Sequence, residues 1–456
     1  MNNYKTLSIL QEVYILNKKL EYKRDEHNFY SLEPAVVPAN QQSVITIKPK
    51  IIDLSFNDNS KYQIIYKAKF NTTENNKGVS FRKFTITPQK GALKIKHYFA
   101  GEQEHVFEIK EKTGSGYHKR GDFYVYSLKD DLLKKIPVKG DLHLHSFRSD
   151  GKGSPAYITA LGRKAGFDFM ALTDHGKYQP SLEAKESYQE LPLEFQIIPG
   201  EEIHPPDTEN HIVNFGGHFS VTELFEHNRE KYYKDVNKIL QSELYIPDGV
   251  DEFEYASFIW TCRKIKEGKG LSLFCHPYWV SENQHYISNK LTSFLLKKQP
   301  FDALEIINGS ISVESNNLQV IKYYNHLTNK EDKKEIPLVG VSDAHNCDLG
   351  SGYTVVFVDN LPSPTENITG NIIENIKEGN CVAVEDISSG QCRAYGPTRL
   401  VRFAHFLLRE IFPGHDNICK LEGEYMQNSV YQKSTEIEET SVKQYYCSLF
   451  SCYKNQ

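Results

Sequence analysis

The hydrophobic rhythm of the chain changes twice. Between about residues 43 and 129, apolar and polar positions alternate in short runs at 43–48, 62–66, 83–87, 92–96, 105–109 and 123–126. Period-two alternation rich in β-branched and aromatic residues, broken by turn formers, predicts antiparallel strands. With almost no helical pattern between them, these runs predict a small β-sandwich. From Pro137 the texture is different. Apolar runs of four to seven residues at 141–145, 167–172, 195–198, 211–215, 270–274, 303–307 and 338–341 alternate with helical stretches. Ser154-Pro155 is an N-cap followed by proline at the first helical position, opening a helix that ends at Gly166. Residues 221–242 and 252–266 carry apolar side chains at three-to-four spacing and predict two further helices. Strand–helix alternation over about 250 residues predicts an α/β architecture with parallel strands, closed as a β/α barrel or left as an open doubly wound sheet. Near Gly396 a third texture begins. Leu400 to Ile411 forms an apolar helix expected to end before Pro413 and to pack on the barrel, and from 426 the chain turns polar. In that tail Tyr445, Tyr446, Leu449 and Phe450 form one candidate docking helix. The predicted organisation is a β-rich domain over 1–135, an α/β barrel with its packing helix over 136–425, and a polar tail over 426–456.

Composition narrows the function. At about 150 residues per domain, 456 residues suit two or three domains. Hydrophobic content of 39% and charged content of 25% exclude wholesale disorder. The net charge of −5 argues against a broad basic surface for long duplex nucleic acid, not against a local phosphate site. No apolar run approaches the roughly 18 residues of a membrane span, and the segment 1–21 lacks the continuous apolar stretch of a secretory signal. A cytoplasmic protein without membrane attachment is expected. Eight Cys with no C-x-x-C pair read neither as a disulfide scaffold nor as a zinc finger.

The 17 His are not evenly spread. His143 and His145 close the first barrel run, Asp174-His175 follow the second and Glu201-Glu202 the third. His211 opens the fourth, with His218 just past it. His276 follows the fifth, and Asp343 and His345 follow the last. Residues just past strand ends converge on one face of a parallel barrel, so these groups are expected to meet. Burying so many ionisable groups together is costly unless cations offset their charge.

These residues match a family. Gly140-Asp-Leu-His-Leu-His-Ser146 with Ser149-Asp150-Gly151 resembles the first motif of the polymerase-and-histidinol-phosphatase (PHP) superfamily. Phe167 to His175 resembles its second, Pro199-Gly-Glu-Glu-Ile203 with His211 to Gly216 its third, and Cys275-His276-Pro277 and Ser342-Asp343-Ala-His345 complete the set. The carbaryl-hydrolase-like metallohydrolase branch is the nearest resemblance. The resemblance implies a distorted seven-stranded β/α barrel holding two or three divalent ions. Its implied ligands are His143, His145, Asp150, His175, Glu202, His211, His276, Asp343 and His345, with Glu202 preferred to Glu201 and His218 competing with His211.

Nitrogen and oxygen donors without thiolate suit Mn, Fe or Zn ions. Paired metals can hold a bridging hydroxide and clamp the oxygens of an in-line displacement, which is what phosphoester hydrolysis needs. The expected substrates are small phosphorylated molecules: a phosphomonoester, a nucleoside 3′,5′-bisphosphate, or an oligonucleotide degraded from its 5′ end. Carboxylic or carbamate ester hydrolysis is the alternative reading, and a metal-stabilised scaffold the third. His218 and Tyr278 are candidates for leaving-group protonation. Arg148, Lys177 and Arg399 are candidate phosphate contacts. Asn308 is a candidate support for the ligands or a cap of the helix that follows. The sequence does not fix the oligomeric state.

Overall fold

Every alternating run of the first third becomes a strand, and most extend beyond the pattern that marked them: Gln41–Pro49, Tyr62–Ala68, Phe81–Ile86, Leu93–Phe99, Gln103–Thr113 and Gly116–Leu128. The structure is a computed structural model that describes residues 25–69, 81–243, 245–328, 335–387, 391–430 and 441–450. The opening segment 1–21 and residues 431–440 and 451–456 of the expected tail lie outside the described residues. Two short strands, Tyr30–Glu33 and Val36–Pro38, carry too little alternation to be read from sequence. Tyr30–Glu33, Gln41–Pro49 and Leu93–Phe99 form one sheet, and the other five strands form a second. Both sheets contribute to one core, with Ile45, Ile47 and Phe99 from the first and Ile64, Phe107 and Val125 from the second.

The following region mixes helices and strands. Its site-bearing strands are Ile136–Asp141, Phe169–Ala171, Gly200–Ile203, Ile212–Phe215, Leu271–Phe274, Ala303–Asn308 and Leu338–Val341. The first two belong to a six-stranded sheet with Gln196–Ile198, Gly352–Val358, Cys381–Ile387 and Gln391–Tyr395, and the last five form a sheet of their own. Backbone bridges Leu144–Ala344 and His175–Glu202 join the two sheets.

The strands are not all parallel, as the sequence pattern had implied. Ile212–Phe215 runs antiparallel to both Gly200–Ile203 and Leu271–Phe274, and Gly352–Val358 runs antiparallel to Ile136–Asp141. Connection length explains the first case. Only residues 204–211 link Gly200–Ile203 to Ile212–Phe215, whereas a parallel return needs a dozen residues or more. The reversal puts the start of Ile212–Phe215 level with the C-terminal end of Gly200–Ile203, so a residue opening that strand still reaches the shared face.

Two helix expectations also change. The stretch 221–242 is two helices, Val221–His227 and Arg229–Ser242, because Asn228 leaves helical geometry at φ −146° and its side chain accepts from Lys231 N. Pro413 does not stop the apolar helix. Thr398–Phe406 passes through a wide π turn at Leu407–Ile411 into Phe412–Val430. Proline then sits at the second residue of the continuing segment, directly after the widened turn, whose Leu407 carbonyl takes the Phe412 N–H. The helix therefore takes in the start of the expected polar tail, and Val442–Leu449 docks as a further helix. Tyr446 and Phe450 are buried there, and the Tyr446 hydroxyl donates to the Pro137 carbonyl at 2.8 Å. Among the described residues, no helix is long and apolar enough to cross a membrane.

Candidate metal centre

Each donor is positioned by the segment that carries it. Asp141 ends its strand buried, and its carboxylate accepts the backbone N–H groups of His143 (3.2 Å) and Ser342 (3.1 Å), fastening two strand ends together. Burial pushes its pKa up to about 7. His143 and His145 follow, two residues apart on one side, with ring centroids 5.1 Å apart. The next loop is held by Asp174, which accepts the N–H groups of Ser146 (2.9 Å) and Ser149 (3.0 Å). A Cβ at position 151 would lie 2.5 Å from the His145 carbonyl oxygen, so only glycine lets this loop close and present Asp150. Glu201 and Glu202 face opposite sides of their strand. Glu201 accepts from Val221 N at 2.6 Å and Ser220 Oγ at 2.8 Å, capping the helix there, while Glu202 faces the cluster. His276 (φ 21°) and Asp343 (φ 48°) both lie in the left-handed region that side chains other than glycine disfavour.

Glu202 is the hub. Its Oε2 lies 2.7 Å from His175 Nδ1 and 3.3 Å from His143 Nε2, and its Oε1 lies 2.9 Å from His211 Nδ1 and 3.2 Å from His276 Nε2. Asp343 Oδ1 lies 3.0 Å from His145 Nε2 and 3.4 Å from His143 Nε2. Asp150 stands 3.4 Å from both His175 and His345. Burial opposes charge on His143, but the carboxylates of Asp343, Glu202 and Glu305 outweigh it and raise its pKa well above that of a free imidazole. Burial takes His211 the other way, down to about 3. Burial would raise Glu202 and Asp343, yet the imidazoles around them hold both well below the usual carboxylate range.

The donor set itself tests whether cations fit. The Nε2 atoms of His143 and His145 stand 3.2 Å apart, and those of His175 and His345 3.4 Å apart. Two such nitrogens can share only one proton. Glu202 Oε2, His145 Nδ1 and His211 Nδ1 are buried with no directed hydrogen-bond partner among the described residues. Buried polar atoms left in this state cost about 1–3 kcal/mol each. Divalent cations would take up the converging lone pairs and favour neutral imidazole with ionised carboxylate. His145, Asp150, His175 and His345 each bring a ligand atom within 4.8 Å of the others, as do His143, Glu202 and His276, and also His143, His145 and Asp343. The residues fit divalent cations.

The structure thus brings together all nine residues expected as ligands. Two other expectations are corrected. His218 is exposed past the far end of Ile212–Phe215, its backbone N–H donating to Gly268 O at 2.9 Å, so His211 and not His218 reaches the cluster. Arg399 is occupied elsewhere, forked between Glu102 and Asp131, where it ties the β-rich region to the helix Thr398–Phe406. Tyr278 is buried beside His276 with its hydroxyl donating to Asn289 Oδ1 at 2.8 Å, and burial pushes it up to about 12. Arg148 lies exposed on the Asp150 loop, paired with Glu183 at 2.9 Å, and its carbonyl accepts from Lys177 Nζ. Asn308 supports a ligand but does not cap the following helix Val313–Thr328, whose Ser315 N–H is taken by Ser312 Oγ at 3.1 Å. Its Nδ2 donates to Asp343 Oδ2 at 3.0 Å and its Oδ1 accepts from Ser310 N at 2.9 Å.

Sequence reasoning missed Glu305 and His204. Glu305 is fully buried, 2.6 Å from His143 Nδ1, and accepts the His276 N–H at 2.9 Å. A lone carboxylate inside an otherwise apolar strand was the available signal. His204 Nε2 lies 2.9 Å from His175 Nδ1, and its ring stacks on that of His211 at 3.9 Å. It sits in a proline-rich connection and carried no pattern.

No family model matches the chain. A stretch of 53 residues is 42% identical to the DNA polymerase/3′-5′ exonuclease PolX of Bacillus subtilis, covering 12% of this chain and 9% of that protein. Among solved structures, a two-domain protein from Bacteroides vulgatus containing a predicted PHP-like metal-dependent phosphoesterase is 17% identical, with 55% of this chain and 65% of that one covered at a TM-score of 0.36. An amidohydrolase from Chromobacterium violaceum with bound sulfate and no metal is 16% identical, with 53% and 96% covered at a TM-score of 0.30.

Proposed function

We propose that the chain is a metal-dependent hydrolase of phosphate esters in the PHP superfamily, acting on a small phosphorylated substrate such as a phosphomonoester, a nucleotide or the end of a short oligonucleotide. The observation that carries this reading is the convergence of six imidazoles, those of His143, His145, His175, His211, His276 and His345, on Glu202 and Asp343, with Asp150 beside His175 and His345. On this reading the strands bridged at Leu144–Ala344 and His175–Glu202 are the superfamily's distorted seven-stranded barrel, preceded by a β-sandwich.

His143, His145, Asp150, His175, Glu202, His211, His276, Asp343 and His345 would hold two or three divalent ions, with Mn, Fe and Zn all suited to such donors. When bound, these ions supply Lewis-acid stabilisation of phosphoryl oxygens and bring the acidity of water near neutrality. The chain's own groups do the orienting. Glu305 accepts from His143 Nδ1, which leaves Nε2 aimed at Glu202 and Asp343. Asn308 holds Asp343 through its second oxygen. Lys177, with Arg148 already paired to Glu183, stands at the rim beside Asp150, where an anionic substrate would enter. Tyr278, already donating to Asn289, shapes the wall.

The test is turnover by protein whose metal content is measured by mass spectrometry. Substrates are p-nitrophenyl phosphate, bis-p-nitrophenyl phosphate, a nucleoside 3′,5′-bisphosphate and p-nitrophenyl acetate. Phosphate-ester hydrolysis that falls at least about 100-fold in Asp343→Ala is expected, since even residues that only support a ligand account for 10–100-fold. Turnover of the acetate alone would replace this reading with ester hydrolysis. Metal-loaded protein inert on all four would overturn it.

A further inference from the structure

Beside the donor cluster stands a pair of aromatic rings that no step above uses. Trp279 and Tyr286 flank a small hairpin in which Val280 pairs with His285 and Ser281 with Gln284. The Tyr286 N–H donates to the Trp279 carbonyl at 3.0 Å, extending the pairing by one step and setting the two rings side by side. Their centroids are 4.8 Å apart and their planes are tilted by 54°, so the two rings form an open corner in which one face can stack while the other ring closes the side. Both residues are partly exposed.

The pair is stiff. Its turn consists of Glu282 (φ 51°) and Asn283 (φ 67°), the double left-handed geometry of the tight hairpin turn that best matches strand twist. The Trp279 N–H donates to the His276 carbonyl at 2.9 Å, which ties the hairpin to a metal donor. Tyr278 anchors it underneath through Asn289. The rings also touch the cluster. Trp279 lies 5.6 Å from His276 and 5.7 Å from His211, and Tyr286 lies 5.0 Å from His211, all between centroids.

We propose that Trp279 and Tyr286 form a stacking platform for a planar, uncharged aromatic group on the substrate, next to the ester that the centre would cleave. The inference rests on the phosphoesterase reading for the anionic end of the ligand and adds the chemistry of the other end. Two features point to a ring. A rigid aromatic surface accepts a π face with little ordering cost. The hydroxyl of Tyr286 donates to the Glu209 carboxylate, whose negative charge disfavours a second phosphate on this side. A nucleobase and a simple aryl group share the required chemistry.

The chain has two tryptophans, and Trp260 is buried at 4% exposure, so a bound ring should report through Trp279. Intrinsic fluorescence is followed in a stopped-flow, ahead of any turnover, with AMP, phenyl phosphate, ribose 5-phosphate and glycerol 2-phosphate. AMP and phenyl phosphate should quench the wild-type protein and Trp260→Phe but not Trp279→Phe. The two non-aromatic phosphates should bind about 10- to 100-fold more weakly. Trp279→Ala and Tyr286→Leu should lose a similar factor for AMP with bound metal unchanged. Tighter binding of AMP than of phenyl phosphate identifies a nucleobase, and the reverse an aryl group. Ribose 5-phosphate binding as tightly as AMP, no binding of either aromatic phosphate, or an unchanged AMP affinity in both variants overturns the platform. Metal-loaded protein that binds AMP through Trp279 yet hydrolyses no phosphate ester would sink the phosphoesterase reading and leave the platform standing.

Discussion

Glu305→Gln separates a carboxylate that tunes the centre from one that fills space. The substitution keeps shape and volume but exchanges one oxygen for an NH2 group. In the native protein both oxygens accept: Oε1 lies 2.6 Å from His143 Nδ1, and Oε2 takes the His276 N–H at 2.9 Å and Asn308 Nδ2 at 3.3 Å. A glutamine satisfies one side only. If its oxygen faces His276, its NH2 meets His143 and forces the ring to carry its proton on Nε2, the atom aimed at the cluster. If its oxygen faces His143, two donors meet the NH2 instead. Either arrangement leaves a buried polar group mispaired, a cost of about 1–3 kcal/mol. Support lost behind a ligating imidazole weakens metal binding by about 10–100-fold, or about 1.4–2.7 kcal/mol, which agrees. Metal affinity is read by competition against a chromophoric chelator, with ion stoichiometry by mass spectrometry. The expected result is one weakened site, with metal-free stability lowered by no more than about 1–3 kcal/mol. Glu305→Gln protein that holds every ion at wild-type affinity would refute the assigned orientation of His143.

Two predictions concern the scaffold. His105 is buried between the hydroxyls of Tyr66 (2.9 Å) and Ser127 (2.8 Å), and burial lowers its pKa to about 3. The folded value lies below the unfolded value of about 6.5, so this stability is complete above that pH and is lost as pH falls toward the folded pKa. At pH 5 the deficit is about 2 kcal/mol, with half-buried His97 acting in the same direction. Urea midpoints measured from pH 7.5 to 5 should fall accordingly and flatten in His105→Gln, and an identical pH profile in that variant would contradict the assignment. Arg163, 1% exposed, donates to Asp168 at 3.0 Å and to the Phe167 carbonyl at 2.8 Å, and pairs with Glu422 on Phe412–Val430. Arg163→Ala should cost about 3–5 kcal/mol in chemical unfolding without changing metal content, because buried carboxylates lose their counter-charge. A loss under 1 kcal/mol would show the network to be solvated.

Much of this was legible in the order of residues, for physical reasons. Strands of the first region advertise themselves because one face is wet and the other dry, as at Leu93–Phe99, where exposed Lys94 and Lys96 alternate with buried Leu93 and Ile95. The donors were legible because they follow strand ends. What stayed hidden depends on three-dimensional context. The reversal of Ile212–Phe215 follows from a connection with no helix in it, while the run itself is equally apolar in either direction. Pro413 misleads because a widened turn ahead of it is not encoded by any single residue. Glu305 and His204 act only through partners such as His143 and His175, far from them along the chain.

The left-handed backbone at His276 and Asp343 has an evolutionary corollary. Both positions hold conformations that glycine would adopt without strain of roughly 1–3 kcal/mol. Selection for robustness alone would push these two sites toward glycine and erase two donors in doing so. Their occupation by His and Asp means that the polypeptide surrenders part of its margin against unfolding at the very points where it would grip ions. Lineages that lose the chemistry should show the change there first.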